Sequence, residues 1–223
     1  DDLDGQLEEE KIKGSEFMLE LLDRARQDNG LQLKCMLGRE GRTGELSAYA
    51  QKTIADMKAF TAKIDPKKKA SVYYAEGVDG LNTDCDTSMH TELIKLAGGR
   101  NVHQCPVRDM FGMEKISLEQ VMLYDPDVIL VFEGAFYRAV FGDPRWQRLR
   151  AVKNGRVYLI PNQPFNWFDR PPSFMRLLGV KWVANLLYPD RYPVDMVKET
   201  QQFFRLFLGF DLSAKEAKKL MNR

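Results

Sequence analysis

The chain has 223 residues, of which 44% are hydrophobic and 29% charged, with 33 Lys and Arg against 32 Asp and Glu. That length suffices for one large domain or two small ones with a substantial core, and the charge balance provides no net field to draw nucleic acid or an anionic membrane surface. No apolar run reaches the ~18–20 residues needed to span a bilayer, and no signal peptide is visible, although a mature or trimmed chain would lack one.

The first seventy residues are charged, contain no proline before Pro66 and show no strand-like run. Phe17, Leu19, Leu21 and Leu22 predict an amphipathic helix over 8–26, stopped by Asn29-Gly30. The stretch 31–37 is ambiguous, and Gly38, Gly41 and Gly44 are expected to break the chain. Leu46, Tyr49, Ala50, Ile54, Met57, Phe60 and Ile64 then describe one long helix over 45–64 with a single apolar stripe, ended by Asp65-Pro66.

From residue 70 strands and helices alternate. Ser71–Ala75 is β-rich, and 77–86 is a loop of Gly, Asn, Thr and Asp. Thr87 or Ser88 can cap a helix over 89–97, closed by Gly98-Gly99. Asn101-Val102 starts a short strand. Ser117-Leu118-Glu119-Gln120 fits a capping box opening a helix to Tyr124, and Asp125-Pro126 stops it. The run 127–132 (DVILVF) reads as a buried parallel strand. A loop or short helix over 134–142 follows, then a helix opened by Asp143-Pro144 and a strand over 156–160. A loop over 161–172 leads to an apolar helix over 173–188, and helices over 194–208 and 213–222 finish the chain. The fold class is therefore α/β, a mostly parallel sheet flanked by helices and preceded by a long helical segment.

In such sheets ligands sit beyond the carboxyl ends of the strands. Three long loops fall there. The third contains Asn166-Trp167-Phe168-Asp169-Arg170-Pro171-Pro172. Aromatics held by prolines lose little conformational entropy on binding, and Arg170 offers a planar fork to an anionic ligand. The competing reading has Trp167 and Phe168 capping the core; binding is preferred because the prolines would hold the rings on the rim. In the second loop Phe136, Tyr137 and Arg138 could reach the same face, Tyr137 as a phenolate ligand for iron(III) and Arg138 as a partner for a carboxylate or catecholate. A half-buried Tyr137 at a helix start explains the sequence equally well. The first loop offers Asn82 and a helix start that favours anions. His90 could be a ligand there, but one hydrogen bond in the first helical turn is the simpler reading.

Cys35, Cys85 and Cys105 form no CxxC pair, so a structural zinc site is not expected. One disulfide can form, with Cys85–Cys105 the favoured pair. Two histidines, His90 and His103, do not supply a three-imidazole site. Asp84 and Asp86 are not continued by a calcium-loop pattern. No GxSxG, P-loop or GxGxxG follows a strand, and Cys85 near His90 is poor support for a thiol nucleophile. The chain reads as a non-enzyme.

Several segments together resemble the periplasmic solute-binding proteins that deliver iron–siderophore complexes, haem or cobalamin to ABC importers. They are HTELIKLAGGRNV from His90, ISLEQV from Ile116 with DPDVIL from Asp125, DPRW from Asp143 with LRAVKNGRVY from Leu149, and WFDR from Trp167 before an apolar helix. Their order and spacing match the family across 45–188. The resemblance implies two α/β lobes joined by a long rigid helix. Residues 45–66 would be that connector, 67–223 the carboxy-terminal lobe, and 1–44 a helical remnant or divergent amino-terminal segment. It further implies a periplasmic or extracytoplasmic lipid-anchored protein with no resident cofactor. Its cargo would be a ferric siderophore, haem or cobalamin. The aromatic after the last lobe strand maps onto Trp167, and Glu92 or Asp169 would dock to arginines of the membrane permease. Such a lobe would be a monomer, or a dimer if its half-cleft seeks a partner. The alternative is an enzyme-like or regulatory α/β lobe, a cluster-binding or chelatase relative without a transport role.

Overall fold

The computed structural model describes residues 40–106 and 112–221. The helix expected over 8–26 and the ambiguous stretch 31–37 lie outside the described residues.

The first described element is a long helix, α1 (Glu40–Thr61). It starts earlier than the pattern predicts, and Gly41 and Gly44 lie inside it instead of breaking it. Each glycine weakens a helix by about 1 kcal/mol. Packing further along offsets this: Ala50 and Met57, two turns apart, and Ile64 just beyond the helix are buried in the same core as Val72 and Tyr74. Asp65 then accepts a hydrogen bond from the Lys67 amide and opens a single 3-10 turn, Pro66–Lys68.

The main sheet has four parallel strands in the order β3-β1-β5-β6. They are β1 (Ser71–Ala75), β3 (Arg100–Asn101), β5 (Val128–Val131) and β6 (Val157–Leu159). A two-stranded antiparallel ribbon of β2 (Asn82–Thr83) and β4 (Glu114–Lys115) stands beside it. Every residue of β1 and β5 is buried, as expected of strands covered on both faces. Alternate side chains feed two cores. Val72, Tyr74, Val128 and Leu130 face one that includes α1, α2 (Glu92–Leu96), α6 (Arg176–Leu187) and α7 (Met196–Phe203). Tyr73, Ala75, Ile129 and Val131 face the other, built from α3 (Leu118–Tyr124), α4 (Gly134–Val140), α5 (Arg150–Lys153) and Trp146. A last helix, α8 (Ala214–Leu220), packs on α7. The mostly parallel sheet flanked by helices is as the alternating pattern predicts.

Local departures have local causes. The helix expected over 89–97 begins as a 3-10 turn, Met89–Thr91, because Ser88 Oγ accepts the His90 amide before α2 starts. Ser117 caps α3 by accepting the Gln120 amide. Asp143-Pro144 opens one turn instead of a helix. Asp143 grips the Arg145 amide and guanidinium, and an extended Leu149 separates that turn from α5.

The helix α6 governs the site described next. Apart from Asn185 its residues are buried. The loop over 161–172 lies directly on it, and a Cβ added at Gly179 would stand 1.8 Å from the Trp167 carbonyl oxygen. Backbone-to-backbone overlap of that kind cannot be relieved by turning a side chain. Gly179→Ala is therefore expected to lower stability by about 3 kcal/mol, the upper end for overpacking. An unchanged urea midpoint would show that the loop does not rest on the helix.

Candidate ligand-binding site

The chain leaves β1 for β3 on one side and returns to β5 on the other, so the strand order reverses between β1 and β5. The crevice outside the carboxyl ends of two such strands is where α/β sheets bind ligands. Ala75 pairs with Val131, so Glu76 and Phe132 open the loops on its two sides.

A cluster of buried charge lies beneath this crevice. Arg170 Nε donates to Glu76 Oε1 at 2.6 Å, and Arg170 Nη2 donates to Asp84 Oδ2 at 2.9 Å. Glu76 and Asp84 are 0% and 1% exposed. Asp169 is fully buried beside them and pairs with His90 Nδ1. Asp84 also accepts the Met113 amide at 3.0 Å. Burial pushes the Glu76 carboxyl up to about 8, with the adjacent Asp84 carboxylate adding to the shift. The buried Tyr74 phenol is raised well above its ordinary range, first by burial and then by Glu76 and Asp169. Three buried oxygens of this cluster, Tyr74 Oη, Glu76 Oε2 and Asp169 Oδ1, have no hydrogen-bond partner.

The structure relocates much of the expected contact surface. Trp167 and Phe168 are 0% and 1% exposed. They do not stand on the rim, and the reading that the prolines hold them there is corrected. Asn166 Oδ1 accepts both the Phe168 and Asp169 amides, which turns the segment inward. Trp167 Nε1 donates to the Gln163 carbonyl at 3.0 Å, and the Phe168 ring meets Tyr74 at 4.8 Å. Phe165 is the exposed aromatic of this loop. Arg170 is likewise engaged inward, its fork taken by Glu76 and Asp84 rather than presented to a ligand.

The remaining expected residues divide. Phe136 is buried, packed on Trp146 at 4.7 Å and beneath Gly80. Tyr137 and Arg138 lie on α4. Tyr137 lines a depression with Gly155, Tyr158, Trp182 and Met221 on the β6 flank, not among the residues of the third loop. Asn82 is half-buried and donates to the Met113 carbonyl. His90 is buried with Asp169 as its partner, so one ring nitrogen is committed. Glu92 is half-buried and tied to Arg176 at 3.3 Å, while Asp169 is sealed from solvent and offers no open docking carboxylate. The sequence reading missed Tyr74, Glu76 and Asp84. For Glu76 the available signal was a carboxylate placed directly after the β-rich run Ser71–Ala75.

A doubly wound lobe with its crevice at the carboxyl ends of β1 and β5, entered by a long helix, is a ligand-binding architecture. The chain belongs to the periplasmic binding protein family, whose model matches residues 27–164, more than half of the sequence. A solute-binding protein of an ABC transporter from Sulfurospirillum deleyianum is 44% identical and superposes with a TM-score of 0.82, over 86% of this chain and 59% of that one. The molybdate-binding protein MolA of Haemophilus influenzae is 30% identical over 118 residues, 52% of this chain and 32% of MolA. The Fe(3+)-citrate-binding protein YfmC of Bacillus subtilis is 28% identical over 125 residues, 55% of this chain and 38% of YfmC. The chain thus spans well under half the length of these two curated relatives.

Two measurements test the arrangement. Trp167→Ala should lower stability by about 3–5 kcal/mol in urea unfolding, as for a buried aromatic; a loss below about 1 kcal/mol would put the ring outside the core. Glu76 has its folded pKa raised, so its contribution to stability is full below about 4.5 and is lost as pH rises through about 8. Wild type should therefore lose stability relative to Glu76→Gln across that interval, by on the order of 5 kcal/mol. Parallel stability curves for the two proteins would show that Glu76 ionises freely.

Proposed function

We propose that this chain forms the ligand-capturing carboxy-terminal lobe and connector helix of an ABC importer's substrate-binding component. Its ligand would be a small iron(III) chelate or related metal chelate, delivered to a membrane permease. The observation that carries this reading is the reversal of strand order between β1 and β5, beyond whose carboxyl ends Glu76, Asp84, Asp169 and Arg170 form one buried charged cluster. Tyr74 Oη, Glu76 Oε2 and Asp169 Oδ1 are buried without protein partners, so the cluster beneath those strand ends is polar and oxygen-rich. Oxygen-rich surroundings suit hard metal species. The curated relatives named for Fe(3+)-citrate and for molybdate support a compact, oxygen-coordinated metal species as the ligand class.

In this reading α1 is the connector and residues 67–223 are the lobe. Binding proceeds without covalent chemistry. The protein works outside the cytoplasm, free in a periplasm or tethered by a lipid, a setting compatible with the Cys85–Cys105 disulfide.

The test is calorimetric. Trp146, Trp167 and Trp182 are all buried, so tryptophan emission is poorly placed to report a ligand at the rim. Isothermal titration with ferric citrate, a ferric hydroxamate, haem, cobalamin and molybdate should give saturable heat with an iron chelate. Arg170→Lys, which cannot hold both carboxylates in one fork, should weaken it by about tenfold. Heat with molybdate alone would move the ligand class to simple oxyanions. Silence with every compound would sink the proposal.

A further inference from the structure

Away from the Arg170 fork, four side chains from separate parts of the chain converge on one point. Cys85 follows β2, His103 and Cys105 follow β3, and Glu114 lies on β4. Their donor atoms all lie within 4.8 Å of one another. Cys85 and Cys105 form a disulfide. A disulfide by itself requires neither the imidazole nor the carboxylate beside it.

We propose that this cluster is a redox-gated site for a thiophilic divalent cation of the zinc type, with Cys85, Cys105, His103 and Glu114 as its four ligands once the disulfide is reduced. The geometry supports a tetrahedron. Zinc–sulfur bonds of ~2.3 Å and zinc–nitrogen or zinc–oxygen bonds of ~2.0 Å imply edges of roughly 3.3–3.8 Å. His103 Nε2 to Glu114 Oε2 is 3.1 Å, Cys85 Sγ to Glu114 Oε1 is 3.5 Å, and Cys105 Sγ to Glu114 Oε2 is 3.7 Å. The two edges that meet at Glu114 Oε2 are already near their required lengths, Cys85 lies beside the other oxygen of the same carboxylate, and the edge between the sulfurs must open. The outer shell is also in place. Tyr124 Oη holds His103 Nδ1 at 2.9 Å, leaving Nε2 directed at the site, the usual arrangement around a metal-bound imidazole. Asn101 Oδ1 accepts the His103 amide, and the β2–β4 pairing fixes Thr83 against Glu114.

The chemistry balances. A dithiol reductant transfers two electrons and two protons to the disulfide, giving two thiols and its own disulfide. Cation binding then displaces both thiol protons, and two thiolates with one carboxylate leave the loaded site with a single negative charge. Either state staples the loop that begins at Asp84 to the segment after β3, by a covalent bond or by a metal. Since Asp84 holds Arg170, the staple sits next to the crevice floor.

The test uses the full chain with Cys35→Ser, which removes the third thiol. The protein is reduced with a water-soluble phosphine, which leaves as its oxide with oxygen from water, and is then titrated with Co2+ under argon. The expected result is a sulfur-to-cobalt charge-transfer band and visible d–d bands of tetrahedral cobalt, complete at one equivalent and bleached by Zn2+. The oxidised protein should give neither. His103→Ala and Glu114→Ala should each weaken binding by well over tenfold, and Tyr124→Phe by about tenfold with the bands retained. If a ligand variant does not fold, X-ray absorption of the zinc-loaded parent should show two sulfur and two nitrogen or oxygen neighbours. The proposal is overturned by absence of the bands in reduced protein, by binding indifferent to His103 and Glu114, by a different set of neighbours, or by a disulfide that the phosphine cannot open in the folded chain.

Discussion

Arg170 joins the loop after β6 to Glu76, the residue that follows β1, and to Asp84 in the loop beyond, in a place largely sealed from water. Two carboxylates share its fork, and a third, Asp169, adjoins it. Removing such a guanidinium would leave buried charge uncompensated, which costs several kcal/mol even where the intact pair adds little net stability. Its contribution is therefore to arrangement. With Arg170 in place the loop over 161–172 must turn inward, Trp167 must enter the core, and α6 must carry no side chain at Gly179. Burial, with the Asp84 carboxylate adding to it, keeps the proton on Glu76 well into the neutral range against the pull of Arg170.

Much of the fold was legible because strands buried on both faces have no polar side to show. DVILVF could be little else than a central strand, and SVYYA nearly so. Helix ends marked by Asp65-Pro66 and Ser117 were read from side chains that compete for backbone amides. Gly41 and Gly44 misled because glycine weakens a helix without forbidding it. The location of the candidate site followed from topology, but its inner arrangement did not. Composition says that Trp167 and Phe168 must meet something, and it cannot say whether that is a ligand or α6. The choice depends on Gly179, which allows the close approach. Glu76 and Asp84 sit in a stretch of Gly, Asn and Asp that reads as turn chemistry. Cys85–Cys105 was the best pair on offer, but the sequence left open whether it forms, and the convergence of His103 and Glu114 on it depends on a two-residue ribbon too short to mark the sequence.

The long helix is more than an attachment. Tyr49 packs edge-on against Phe203 and Phe207, and Lys181 reaches both the Tyr49 hydroxyl and Glu199, at 3.2 and 2.6 Å. The Lys181 ammonium also lies 4.5 Å from the centre of the Tyr49 ring. These ties join α1, α6 and α7 in one layer. The crevice loops therefore rest on a platform that includes the helix leading into it, and displacing that helix would expose core.

The sheet ends on both sides in very short strands, with β3 of two residues and β6 of three. An outer strand offers its free amides and carbonyls as a template for another chain, and the number of rungs it can supply scales with its length. Among the described residues neither border of this sheet supplies more than a few rungs, so a polypeptide meeting the lobe there finds helices and loop tips more readily than a strand template. The same brevity guards a chain rich in buried Val, Ile and Tyr against lateral growth into fibrils.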